Sequence, residues 1–382
     1  ATWLTGSGLP LRCAIGYDSR HNSRRFAEIC AVALAEAGVH VYVYEVLAPT
    51  PMVSFAVRRL GCGTGIVVSA SHNASQYNGI KCYGPDGCQM TDEPAARVFE
   101  AISATPYFIL PKLTFEETLA QGSVEYISEE IWQEYYKTVL AERLTDESAE
   151  VRVVYTPLHG TGNVPVRRVL KDLGIKRLHV VPEQEHPDPA FSTVKAPNPE
   201  ERECFNLAMA LANQKDANLI LATDPDSDRL GVAVRNTEHE FVILTGNQIG
   251  CLLMDYVLSQ KKAGFTGGEF VVKSIVTSDM VDTIAAHYGV ELRSVFTGFK
   301  FIAEQIKLSQ RTGKGKFVFG FEESYGYLQG AFVRDKDAVQ AAMMIAEAAC
   351  WYASLGKTLY EVLIDMYEKY GWFEELVISK KL

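Results

Sequence analysis

Strand-length apolar runs alternate with helix-length amphipathic stretches along this chain of 382 residues. That alternation predicts mostly parallel sheets covered by helices, an α/β fold. It recurs three times. The first block opens with a strand at 12–17, a helix at 23–37 closed by Gly38, a strand at 39–44 and another at 65–69. A less regular stretch, 106–122, and a helix at 129–143 lead to a polar junction at 145–150. The second block has a strand at 151–155, a helix after Gly162, a strand at 178–182, a proline-rich loop at 186–199, a strand at 218–223 and a helix at 245–260. After the Lys-Gly-rich turn 261–268 come strands at 270–273, 292–295 and 316–320, with helices between them to His287 and Ser309 and long helices at 337–354 and 358–370. We expect three consecutive, similar α/β domains with mixed, mostly parallel sheets, at 1–148, 149–262 and 263–371. A strand-like tail at 375–379 marks 372–382 as the start of something further. No repeat is visible at residue level.

Composition narrows the class of partner. Hydrophobic residues make up 47% and charged residues 22%, which excludes disorder and low complexity. The net charge of −10 would repel a phosphate backbone and speaks against nucleic acid. No apolar run reaches the length of a membrane span and the first residues form no signal, so no membrane partner is expected. Eight cysteines lie in apolar segments without a Cys-x-x-Cys pair, as buried thiols in a cytoplasmic protein would. A homo-oligomer stays open.

Loops after strands are where α/β proteins hold ligands, and three here carry unusual chemistry. The first is Ser69-Ala70-Ser71-His72-Asn73, with Lys81 downstream; a serine beside a histidine and a lysine could be an activated nucleophile, or the segment could be a polar turn. It is no Gly-x-Ser-x-Gly elbow, because Ser69 and Asn73 occupy the glycine positions. The second is Asp224-Pro225-Asp226-Ser227-Asp228-Arg229. Three carboxylates at alternate positions beside an apolar strand repel one another unless a hard cation gathers their oxygens, so Asp224, Asp226 and Asp228 point to magnesium. An EF-hand is excluded, since Arg229 and Arg235 stand where its glycine and glutamate belong. The third is Phe321-Glu322-Glu323-Ser324, followed by Arg334 and Lys336; its carboxylates and hydroxyl suit sugar, its cations phosphate.

Gly16-Tyr17-Asp18-Ser19-Arg20, the Ser-Ala-Ser-His-Asn loop, Asn78-Gly79-Ile80-Lys81, the Asp-Pro-Asp-Ser-Asp-Arg loop, Thr297-Gly298-Phe299-Lys300 and Phe321-Glu322-Glu323-Ser324 stand in an order and spacing that resembles the α-D-phosphohexomutases, within them the bacterial phosphoglucomutase branch. The resemblance runs from about Gly16 to about Gly371. It implies a phosphoryl group on Ser71, with magnesium held by Ser71, Asp224, Asp226 and Asp228. It implies a sugar loop at Glu322 and Ser324 and a second substrate loop at Thr297-Gly298; Arg229, Lys300 and Arg334 are expected to bind substrate. Arg20 would share the neutralisation of charge during transfer, and His72, Lys81 and Lys336 are unranked candidates for handling the hydroxyl proton.

The implied substrate is a sugar phosphate, α-D-glucose 1-phosphate interconverted with glucose 6-phosphate through a glucose 1,6-bisphosphate intermediate. The Glu-Glu-Ser loop resembles glucose-preferring members more than the Glu-Met-Ser loop of phosphomannomutases; mannose and pentose phosphates stay open as alternatives. The family's Gly-Thr-x-Gly-x-Arg segment is not matched near the start. No string matches the Arg-x-Ser-Gly-Thr-Glu loop of its fourth, phosphate-gripping domain, which we expect this chain to lack; Gly160-Thr161-Gly162 is a decoy for it, lying in the second block. Two further readings are a sugar-phosphate-binding protein without turnover, and a haloacid-dehalogenase-like phosphatase built on Asp224 and Asp226. The latter wants Thr or Val where Asp228 stands.

Overall fold

The structure, a computed structural model, describes residues 1–106, 110–147 and 149–375. Its fourteen strands form three sheets. The first is built from β1 (Arg12–Tyr17), β2 (His40–Val43), β3 (Thr64–Val68), β4 (Ile80–Tyr83) and β5 (Val124–Tyr126), in the order β4-β3-β1-β2-β5. The second holds β6 (Arg152–Thr156), β7 (Arg177–Val180), β8 (Leu219–Thr223), β9 (Leu230–Arg235) and β10 (Phe241–Ile243), ordered β10-β9-β8-β6-β7. The third holds β11 (Glu269–Ser274), β12 (Glu291–Val295), β13 (Lys316–Glu322) and β14 (Gly326–Gln329), ordered β12-β11-β13-β14.

One plan underlies all three. A first strand pairs in parallel with a second on one side and a third on the other, and the third then turns back into an antiparallel neighbour. The parallel-paired interior strands are ones the apolar runs predicted: every residue of β8 is buried, as a strand covered on both faces requires. The antiparallel strands β4, β9, β10 and β14 were not predicted. β4, β10 and β14 lie at a sheet edge and need no long apolar run, whereas β9 is interior and buried over Leu230–Val234, an apolar run the sequence reading passed over.

Helix ends follow local chemistry. Thr245 and Gln248 form a reciprocal capping box that starts the helix Gly246–Lys261. Sequence placed this helix in the second domain, ending at 262. It packs instead on β13 of the third sheet: a Cβ on Gly250 would lie 2.0 Å from the Phe321 ring, so only glycine lets helix and strand approach this closely. We therefore place the second boundary ahead of residue 245. The helix Ala338–Ser354 is buried from Ala338 through Cys350 and touches the helix Asn163–Leu173, β8 and β14. A helix that is apolar all round must be surrounded, and this one joins the second and third sheets into one core. The tail predicted at 375–379 lies outside the described residues beyond Glu375. No described helix is long and apolar enough to cross a membrane, and all eight cysteines are free, six of them buried.

Candidate active site

The three chemically unusual loops occupy the same topological position: each links the third strand of its sheet to the antiparallel neighbour, β3 to β4, β8 to β9 and β13 to β14. The fold brings them together. Ser71 lies in the left-handed region at φ 52°, with its amide held by Ser69 Oγ at 2.8 Å, and its hydroxyl donates to Asp224 Oδ2 at 2.7 Å. Thr50 N donates to Asp226 O at 2.8 Å, and Leu230 N to Tyr325 O at 3.0 Å. First sheet, second sheet and third loop are thereby stitched at one place.

The acidic triad is buried, with one oxygen from each carboxylate lying within 4.8 Å of the others. Each carboxylate has one oxygen pinned. Asp224 Oδ1 accepts from the amides of Asp228 and Arg229 at 3.1 and 3.0 Å. Asp226 Oδ2 accepts from Thr50 Oγ1 at 2.9 Å and Lys81 Nζ at 2.7 Å. Asp228 Oδ2 takes Lys81 Nζ at 2.9 Å and Lys336 Nζ at 3.2 Å. The second oxygens differ: Asp224 Oδ2 holds only Ser71, while Asp226 Oδ1 and Asp228 Oδ1 are buried without a hydrogen-bond partner, Arg229 Nε standing 4.0 Å from the latter. Buried carboxylate oxygens left unpaired are costly, and hard, convergent oxygen donors are what magnesium takes. The donor set fits the ion.

Electrostatics separate the three carboxylates. Burial, reinforced by Asp226 and Asp228, pushes Asp224 well above the carboxylate range. Burial also opposes ionisation of Asp228, but Lys336 and Lys81 outweigh it and hold the group far down. Burial likewise disfavours a charged Lys81, yet Asp226 and Asp228 hold its pKa well above the ordinary lysine value; Lys336 behaves alike, raised chiefly by Asp228 against burial. Both lysines are therefore fixed cations. His72 is pushed down to about 4, by burial and then by Arg229, so its ring is neutral near pH 7, with Nδ1 3.3 Å from Ser71 Oγ.

Several predicted site residues have other employment. Arg20, expected beside the transferring phosphoryl group, is fully enclosed: its fork donates to the carbonyls of Ser71 at 2.5 Å, Ala74 at 2.8 Å, Tyr77 at 3.1 Å and also Asn73, while Nε pairs with Asp18 at 3.1 Å. It shapes the Ser71 loop from behind. Arg334, expected to bind substrate, is 2% exposed. It donates to the carbonyls of Ala331 and Val333 and to Gln310 Oε1 at 2.5 Å, while its buried Nε has no hydrogen-bond partner. Lys300 reaches across to Asp92 at 2.7 Å, and Arg229 pairs with Glu200 at 2.7 Å. Glu322 is buried and accepts from Gly298 N at 2.6 Å, joining the two expected sugar loops; Gly298 has φ 120°, a conformation that suits glycine. Thr297 is exposed and Ser324 half-buried.

Sequence reasoning missed other contributors. Gly160-Thr161-Gly162, set aside as a decoy, buttresses the acidic loop: Thr161 N donates to Pro225 O at 2.8 Å, and a Cβ on Gly162 would sit 2.5 Å from Ser227 Oγ. Asp18 accepts from Ser69 and Ser23, each at 2.7 Å. Thr50 was missed altogether; it lies 176 residues from Asp226.

A serine hydroxyl on a carboxylate of a cation-ready triad, flanked by fixed lysines, at the meeting point of three α/β units defines a phosphohexomutase class of site. Family profiles for the phosphoglucomutase/phosphomannomutase α/β/α domains I, II and III match residues 5–107, 133–237 and 245–370. The chain belongs to the phosphoglucomutase/phosphomannomutase family of α-D-phosphohexomutases. It is 36% identical to the phosphoglucomutase of Staphylococcus epidermidis ATCC 12228 over 99% of this chain and 69% of that protein. To the phosphoglucomutase of Staphylococcus aureus USA300 it is 37% identical over 96% of this chain and 66% of that protein. The chain thus spans about two thirds of these relatives' length. Among solved structures, the Paramecium phosphoglucomutase parafusin superposes with TM-score 0.75 at 19% identity, over 97% of this chain and 70% of that one. A family protein from Burkholderia thailandensis superposes with TM-score 0.73 at 20% identity, over 96% and 73%. Both share the fold.

Proposed function

We propose that this protein interconverts α-D-glucose 1-phosphate and glucose 6-phosphate, with Ser71 as the phosphoryl carrier and glucose 1,6-bisphosphate as the intermediate that turns round between two transfers. The observation that carries this reading is the 2.7 Å hydrogen bond from Ser71 Oγ to Asp224, one of three buried carboxylates whose oxygens converge within 4.8 Å. Magnesium held by Asp224, Asp226 and Asp228 would supply positive charge to the phosphoryl oxygens at Ser71. Lys81 and Lys336, already fixed as cations on Asp226 and Asp228, add to that field. Arg20 acts indirectly, by holding the backbone that presents Ser71. His72, neutral and beside the reacting oxygen, is the group of the three candidates able to take a proton there. Glu322 and the Thr297-Gly298 segment are assigned to the sugar hydroxyls.

Family membership sets aside the dehalogenase-like phosphatase. To test the mutase, the protein is incubated with glucose 1,6-bisphosphate and magnesium, Ser71 is examined for phosphate by mass spectrometry, and glucose 6-phosphate is followed in a coupled assay. Label on Ser71 and turnover of glucose 1-phosphate ahead of mannose or ribose 1-phosphate are expected. Faster turnover of another sugar would reassign the substrate; an unlabelled Ser71 would leave a binding protein.

A further inference from the structure

Two ligands of the triad are held by hydroxyls of the first domain: Asp224 by Ser71, the expected reacting group, and Asp226 by Thr50, which has no part in the transfer. Asp226 Oδ2 is shared by the Lys81 ammonium and by the hydroxyl of Thr50, which is fully buried at the start of the helix Thr50–Arg59. Thr50 holds the same residue twice, since its amide also donates to the Asp226 carbonyl at 2.8 Å. Lysine is a flexible tether that can follow a rotating carboxylate. The hydroxyl is different: it projects from a β-branched residue, restricted at χ1, on a helix rooted in the first domain. With Oδ2 fixed from that side, Oδ1 is the oxygen left over, buried and without a hydrogen-bond partner.

We infer that Thr50 is a positioning residue for the cation site, setting the carboxylate of Asp226 so that Oδ1 faces the ion and tying the ligand loop to the domain that carries Ser71. The inference rests on the proposal that the triad holds magnesium. Groups that orient metal ligands from outside typically change affinity 10- to 100-fold when removed.

The experiment is magnesium titration by calorimetry on wild type, Thr50→Val, Thr50→Ser and Asp226→Asn, each checked for folding by circular dichroism. Thr50→Val keeps the shape and the backbone bond while deleting the hydroxyl; magnesium affinity should fall about tenfold or more. Thr50→Ser keeps the hydroxyl and should stay within about threefold of wild type, a rescue that a purely packing role for Thr50 would not give. Wild-type affinity in folded Thr50→Val overturns the inference alone, as does a loss in Thr50→Ser equal to that in Thr50→Val. The Ser variant also decides the matter should the Val variant not fold, since weakened binding there counts against the hydroxyl. If wild type and Asp226→Asn bind magnesium equally well, or wild type binds none, the cation site itself falls and the inference with it.

Discussion

The acidic loop 224–229 and the segment 296–298 lie at the same end of their sheets and are built in opposite ways. In the first, Asp224, Asp226, Ser227 and Asp228 are buried, and contacts arrive from Thr50, Ser71, Lys81, Thr161, Lys336 and Ala338. In the second, Phe296 is 71% exposed, Thr297 is exposed, and one bond, from Gly298 N to Glu322, ties it down. Phosphoryl transfer needs charges fixed in advance, because preorganised dipoles and ions do not have to rearrange as charge develops. Recognition of a substrate needs surface left free to meet it. On the proposed function, the difference would separate a part of the site built in advance from a part that substrate completes.

That contrast can be broken experimentally, beginning where the effect should be largest. Ser71→Ala should abolish phosphoryl labelling by glucose 1,6-bisphosphate, read by intact mass; a retained label would move the nucleophile away from the part built in advance. Asp226→Asn should weaken magnesium binding by about a hundredfold or more, exceeding the loss typical of outer groups; an unchanged isotherm would place the ion elsewhere. Arg20→Lys should lower the thermal midpoint and speed hydrogen exchange across 71–77, since an ammonium cannot reproduce a planar fork on four carbonyls. Each lost charge-assisted bond is worth roughly 1.5–3 kcal/mol. Magnesium affinity should change far less, because Arg20 touches no triad carboxylate.

The start of the helix whose Ala338 amide bonds the acidic loop at Ser227 gives a pH test. Asp337 caps the helix Ala338–Ser354 and accepts from Tyr135, and burial pushes it up to about 6 despite the bonds it receives from Gln340 and Tyr135. An unfolded aspartate titrates near 3.9. Between those values the folded protein binds the extra proton, so this group's contribution favours folding at low pH and fades as pH rises through about 6. Asp337→Asn should therefore gain stability over wild type at pH 8 and lose that advantage near pH 4, by about 3 kcal/mol at most. A gap in thermal midpoint that widens on acidification would refute the assignment. The smallest effect is expected at the open side: Lys300→Met removes a pair with Asp92, which is 86% exposed, worth about 0.2–1 kcal/mol. A large drop in turnover with unchanged stability would show that Lys300 leaves Asp92 for substrate.

How much of this was readable from sequence depended on what each feature requires. Interior strands such as β8 must be apolar throughout, so they announce themselves. β4 and β14 are four residues each, flanked by polar and glycine-rich segments, and become strands only because β3 and β13 offer them an edge. The acidic triad was legible because its members are neighbours in the chain. Thr50 was not, because the contact that gives it a role spans 176 positions. Arg20 and Arg334 show a third limit: sequence reveals a guanidinium, whereas only the fold reveals that its donors are already committed to backbone carbonyls.

The shared position of the three loops bears on how such a protein can change. Each sheet presents the same socket between its third strand and the antiparallel neighbour, with Lys81 on β4 and Glu322 at the end of β13 adding to it from the flanking strands. Residues in one socket can be exchanged without renegotiating the frame that aims the other two. On the proposed assignments, the Ser71 loop, the acidic loop and the Glu322 loop are separate stretches of chain, and a lineage could retune its choice of sugar in the last while keeping the first two.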